Sequence, residues 1–225
     1  MAMDRARPLL CFVHCASDLD SSLGLVEAGG EGWDSLDIVQ VRGKSMGAGD
    51  LEKLVERWIR IASSREAPLI IVNDRLDVAL ATGADGVHVG RNDLPVDEVR
   101  QLAPAQFVIG MSAHDRREIE LAQDSGADYA GLGAFYPSRT KPEASVLEGG
   151  ETRSGEPIEG LSIPVIAIGG ITASRVGEVL SVPAVTGVAV SEAIQGSRGP
   201  EEAIRELRAA TDRAWSERAA CGLQA

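Results

Sequence analysis

The chain has 225 residues, 44% hydrophobic and only 4% aromatic, enough for one large core or two small ones, and its Ala, Val, Ile and Gly bias suits close α/β packing. A formal charge of −12 and a pI near 4.7 exclude a broad nucleic-acid or anionic-membrane surface, because both need a spread of unopposed Lys and Arg. No apolar run reaches the roughly 20 residues of a membrane span and "MAMDRARPLL" leads into no signal-peptide core, so a cytoplasmic setting is expected, without nucleic-acid or membrane partners.

Apolar strand candidates recur from one end to the other. In the first, "LLCFVH", Cys11 forms a Cys-x3-Cys pair with Cys15, but no further Cys or His cluster completes a metal site. Both are expected as small buried hydrophobes, and three cysteines in all fit a reducing compartment better than a disulfide framework. The second strand, "LDIVQV", runs into Gln40, Arg42 and Lys44, which share one face of an extended chain. After the helical stretch "GDLEKLVERWIRIASS", the strand "PLIIVN" ends at Asn73, Asp74 and Arg75 and gives way to the helix "DRLDVALATG". "DGVHVG" carries His88, expected as a packed strand residue, and is followed by Asp93 and the helix "PVDEVRQLA". "QFVIGM" leads to Ser112, His114 and the helix "DRREIELAQDSG". "DYAGLG", "IPVIAIGG" and "VTGVAV" complete the strands, with the helix "TASRVGEVLS" before the last and a closing helix over about 200–219.

Strands this uniformly apolar belong to a parallel sheet covered by helices. "TGADGVHVG" and "SGADYAGLG" repeat the same passage from helix to strand. Eight such units in this length point to a single (β/α)8 TIM barrel spanning 1–225, with a doubly wound sheet as the alternative. Gly, Pro, Ser and Glu cluster without periodicity over about 138–160, which reads as a long loop leaving the C-terminal end of a strand, where barrels place their sites.

A barrel brings every strand exit to one mouth. Singly, each polar residue there has an ordinary explanation: Asp74 and Asp93 as helix N-caps, Arg42 and Lys44 as solvated charges, Gly169-Gly170 as a tight turn. Together, two carboxylates, several cations, a hydroxyl and a Gly-Gly turn suit a site for magnesium and a di- or polyphosphate, with a second pocket of monophosphate size.

The motifs "QVRGK", "NDR", "DGVHVGRNDLP", "GMSAH", "GADYAGLGAFYPSRTK", "PVIAIGGI" and "GVAV" resemble, in order and spacing, those of thiamine-phosphate synthases, over roughly residues 37–194. The resemblance implies a transferase that joins hydroxymethylpyrimidine diphosphate to a thiazole phosphate and releases diphosphate. It implies that Gln40 and Asn73 hold the pyrimidine, that Arg42, Lys44, Ser112 and Lys141 hold the diphosphate, and that Asp74 and Asp93 hold Mg2+. Ser138, Thr140, Gly170, Ser191 and Glu192 would hold the thiazole phosphate. Partners would then be small phosphorylated substrates. The chain departs from the family pattern at Gly43, at Arg91 and at Glu192, where a phosphate-compatible residue is usual; Glu192 is expected to turn outward, towards Arg139 or Arg175. Two alternatives are a thiazole tautomerase, an isomerase of similar fold working through His114, and a non-catalytic relative that binds a thiamine precursor.

Overall fold

A computed structural model describes residues 7–63, 68–138, 146–147 and 160–222. Strands β1 (Leu9–Cys15), β2 (Ile38–Arg42), β3 (Leu69–Asn73), β4 (Gly86–Val89), β5 (Val108–Ala113), β6 (Tyr129–Gly133), β7 (Val165–Ile168) and β8 (Gly187–Val190) pair in parallel in chain order. β1 also pairs with β8, which closes the barrel and rules out the doubly wound sheet. Helices α1 (Leu19–Ala28), α2 (Ala48–Ala62), α3 (Leu76–Thr82), α4 (Val96–Leu102), α5 (Arg116–Asp124), α6 (Val176–Leu180), α7 (Glu192–Gln195) and α8 (Pro200–Ala220) follow the strands. Most of the expected 138–160 loop lies outside the described residues.

Alternation along each strand makes two nested cores. Leu9, Cys11 and Val13 of β1 point inward and meet Ile38, Ile71, Val108, Tyr129, Ile166 and Ala189. The intervening Leu10 and Phe12 point outward and join the helix-facing core with Trp33, Leu54 and Trp58. His14 belongs to that outer layer, where its Nδ1 accepts from Trp58 Nε1 at 3.0 Å. Burial pushes its pKa down to about 4, so it accepts that bond as a neutral ring.

The bottom of the barrel is held by a fourfold clasp. Asp37, Asp85, Asp128 and Thr186 each stand immediately before an even-numbered strand. Their backbone N–H groups donate to Leu10, Ile70, Ile109 and Val165 carbonyls at 3.0, 2.9, 2.7 and 2.8 Å. Their side-chain oxygens accept the N–H of those same four residues at 2.7, 2.7, 2.8 and 3.0 Å. The "GAD" repeat in the sequence is two members of this clasp. Two helices tie into it, since Arg208 of α8 reaches Asp37 at 3.0 Å and Arg100 of α4 reaches Asp128 at 2.7 Å.

Asp37→Ala strands the buried N–H of Leu10 and takes a partner from Arg208, so it is expected to cost about 2–3 kcal/mol. Asp85→Ala, at an exposed carboxylate that water can replace, is expected to cost about 1 kcal/mol or less. Urea denaturation checks the order of the two; equal losses would show that the clasp contributes no more at Asp37 than at Asp85.

Candidate active site

The mouth is built from the ends of β2, β3, β4 and β5. Gln40, two residues beyond the inward Ile38, is buried, and its Nε2 donates to Asn73 Oδ1 at 3.2 Å. Arg42, inward by the same parity, is half-buried, and Lys44 beyond it is exposed. Asp74 has left-handed backbone, φ 64°, a conformation Asp tolerates better than most residues. Its N–H donates to the His88 carbonyl at 2.8 Å, so the strand ladder continues through the bend.

That bend sets the Asp74 carboxyl 3.8 Å from Lys44 Nζ and in hydrogen-bond contact with Asp93. Burial, then the hydrogen bond and charge of Asp93, raise the Asp74 pKa, with Lys44 and Arg42 opposing them. Asp93 is fixed by its own turn, its Oδ2 accepting the Gly90 N–H at 2.7 Å. Neither carboxylate caps a helix: α3 begins after Arg75 and α4 after Pro95. Among the described residues no three of His, Cys, Asp and Glu gather as a metal cage.

Beside this pair, Ser112 Oγ of β5 lies 3.0 Å from His88 Nε2, and His88 Nδ1 lies 3.0 Å from Tyr129 Oη. His88 is buried as expected, and burial pushes its pKa to about 4. Its polar tethers were not visible from sequence, because its partners lie 24 and 41 residues away. His114 is tied to Glu118, which accepts from its backbone N–H at 2.8 Å and from Nδ1 at 2.9 Å and also pairs with Arg91.

Across the mouth, Gly169 and Gly170 have φ 106° and 59°. A Cβ at Gly169 would stand 2.6 Å from Ala134 Cβ, and one at Gly170 2.5 Å from the Pro137 carbonyl, so only glycine fits this close approach. Phe135 and Tyr136 N–H groups donate to Ile168 and Gly169 carbonyls at 2.9 and 3.0 Å, which carries the chain to Ser138 along this turn. Ser191 Oγ donates to Gln195 Oε1 at 3.2 Å, and the same oxygen accepts the Cys15 N–H at 3.1 Å.

Glu192 is exposed, with its carboxylate folded along its own helix beside Gly196. The expected link to Arg175 is not formed: that guanidinium donates to the Gly170 carbonyl at 2.6 Å and lies 4.4 Å over the Tyr136 ring. Arg139, Thr140 and Lys141 lie outside the described residues. A cavity of about 300 Å³ between the β1, β2 and β8 exits is lined by Cys15, Arg42, Lys44, Ser45, Glu192 and Gln195. Cys15, expected as a buried hydrophobe, is only half-buried there. Counting inward from Cys11 by twos would have found it.

A family model described as thiamine monophosphate synthase matches residues 10–194. A thiamine-phosphate synthase of Methanospirillum hungatei is 44% identical over 158 residues, covering 70% of this chain and 75% of its own. One from Chlorobium luteolum is 40% identical over 203 residues, covering 90% and 92%. Among solved structures, the thiamine phosphate pyrophosphorylase of Pyrococcus furiosus superposes with a TM-score of 0.76 at 28% identity, covering 93% of this chain and 98% of that one.

The raised Asp74 pKa gives a pH-dependent stability with a definite sign. A carboxyl whose folded pKa is raised stabilises the fold fully below its unfolded pKa, and that increment is lost as pH rises through the folded value. Asp74→Asn is neutral at every pH and tolerates the same backbone. Without divalent metal, it is expected to exceed the parent in stability at neutral pH, a difference that vanishes below the unfolded carboxyl range, towards about pH 3. Thermal denaturation at the two pH values checks this; a variant less stable than the parent at neutral pH contradicts it.

Proposed function

The chain belongs to the thiamine monophosphate synthase family and is a transferase, and from that premise we propose that its barrel mouth joins hydroxymethylpyrimidine diphosphate to hydroxyethylthiazole phosphate, giving thiamine phosphate and diphosphate. The observation that supports this most is the Asp74–Asp93 carboxyl pair beside Lys44 and Arg42. Two oxygen ligands that repel each other suit a hard cation, and Mg2+ typically takes one or two carboxylates and fills its remaining positions with water and phosphate oxygens. When bound, it neutralises charge growing on the departing diphosphate.

The protein's own groups do the rest. Arg42, Lys44 and Ser112, with Lys141, bind the leaving anion and stabilise it more as the carbon–oxygen bond stretches. Gln40 spends an N–H on Asn73 Oδ1, which leaves Gln40 Oε1 as acceptor and the Asn73 NH2 as donor for an aminopyrimidine edge. The electron-rich pyrimidine eases loss of diphosphate from its methylene carbon, so no covalent nucleophile is required. The thiazole nitrogen then attacks that carbon. Ser138, Thr140, Gly170, Ser191 and the backbone of Glu192 receive the thiazole phosphate, while the Glu192 carboxylate lies folded along its own helix beside Gly196. The same reading carries a cytoplasmic setting, which the free thiols of Cys11, Cys15 and Cys221 suit.

The test supplies both precursors with Mg2+ and follows diphosphate and thiamine phosphate. Arg42→Ala and Asp93→Ala are each expected to lower kcat by about 100-fold or more, with the fold intact. Full turnover in excess chelator contradicts the metal role, and rearranged thiazole without diphosphate release favours an isomerase using His114. Glu192→Ser is expected to leave thiazole-phosphate affinity within a few-fold of the parent. An improvement above about tenfold, worth about 1.4 kcal/mol, would show that the carboxylate opposes the phosphate.

A further inference from the structure

Three polar side chains form a line through the upper barrel that the condensation above leaves partly unused. His88 on β4, Ser112 on β5 and Tyr129 on β6 occupy neighbouring strands. His88 and Tyr129 are 8% and 3% exposed, and their ring centroids are 5.5 Å apart. Room for the two rings comes from two glycines. Gly110 is the register partner of Tyr129, and a Cβ there would fall on the phenol ring. Gly131 is the register partner of Ser112, and a Cβ there would stand 3.1 Å from His88 Cε1. Elsewhere in the inner core aliphatic residues such as Ile38, Ile71 and Ile166 fill the space, so packing alone does not call for a histidine and a phenol here.

A neutral imidazole has one N–H and one lone pair, which allows two arrangements of these bonds. In the first, Tyr129 donates its O–H to Nδ1, and Nε2–H donates to Ser112 Oγ. In the second, Nδ1–H donates to the phenol oxygen and Ser112 donates its O–H inward to Nε2. Among the described residues His88 Nδ1 is the only hydrogen-bond partner of Tyr129 Oη. The second arrangement therefore leaves the buried phenol O–H without its acceptor, at a cost of about 1–3 kcal/mol. The first satisfies both buried groups and leaves only the half-buried Ser112 O–H, which faces the mouth, to be satisfied from outside.

We propose that Tyr129 and His88 are positioning residues that hold Ser112 Oγ as an acceptor on its inner side, so that its O–H is committed to donate outward to a phosphoryl oxygen. A diphosphate oxygen only accepts. An unheld serine would divide its time between offering a proton and offering a lone pair, and the lone pair repels the anion. The relay removes the unproductive rotamers before substrate arrives. The ligand in this proposal rests on the proposed function; the direction of the relay does not.

The first arm of the test is nitrogen NMR of the parent protein, labelled at histidine, without substrate. The chain has three histidines, so His88→Gln assigns the signals. Proton on Nε2 of His88 with Nδ1 bare is expected; proton on Nδ1 overturns the proposal. The second arm measures diphosphate release by Tyr129→Phe, expected to lose about tenfold in kcat with KM nearly unchanged. The same substitution in a Ser112→Ala background is expected to change nothing further, because the relay acts only through that hydroxyl; additive losses overturn it. Should Tyr129→Phe fold poorly, the NMR arm decides alone. A protein with the expected tautomer but no diphosphate release refutes the proposed function and leaves the relay standing.

Discussion

Each even strand of the barrel starts one residue after a side chain that captures the first free N–H of the strand before it, and returns its own N–H to the same residue's carbonyl. Two bonds in opposite directions between one pair of residues fix the register of a parallel pair, which evenly slanted ladder bonds alone specify less strictly. Register matters here because a slip of one residue turns every side chain of a strand to the other face. With it fixed, Gln40 and Arg42, Asn73, His88 and Ser112 all fall on the inner face, and the last inward position of each strand lies at the mouth.

The mouth then brings cationic groups together in a chain that is acidic as a whole. A protein of net charge −12 repels an anionic substrate at long range, so affinity has to come from groups within contact distance. In the proposed function Arg42 and Lys44, at the end of one strand, are those groups. The left-handed backbone of Asp74 turns a carboxyl back towards them. The Asp74 carboxyl is unfavourable there by itself, since burial and then the neighbouring Asp93 raise its pKa; in the proposed function a divalent cation would turn that repulsion into metal affinity. Unfavourable local geometry of this kind is characteristic of functional sites.

Much of this was legible in sequence because parallel strands are continuous apolar runs, and all eight were found, although no mouth residue was named for the first. Helix α1 was missed because its pattern is weak, with only Ser22 and Val26 buried, and α7 is a single turn. Spacing could not separate a helix cap from a mouth carboxylate at Asp74 or Asp93, since both precede helices and the deciding features are the left-handed backbone of Asp74 and the Gly90 N–H that Asp93 accepts. The "GAD" repeat was visible, but its meaning needed the register of the strand before it. His88 was read correctly as a packed strand residue, while its bonds to Ser112 and Tyr129 depend on neighbouring strands far away in sequence.

The most direct measurement is a crystal structure of the protein grown with Mn2+ in place of Mg2+ and with inorganic diphosphate, with the metal located by anomalous scattering. The expected result is a metal held by both Asp74 and Asp93, with the diphosphate between it and Arg42, Lys44 and Ser112. A diphosphate seated instead on the Gly169–Gly170 turn, with no metal at the acidic pair, would contradict the assignment of the leaving-group site.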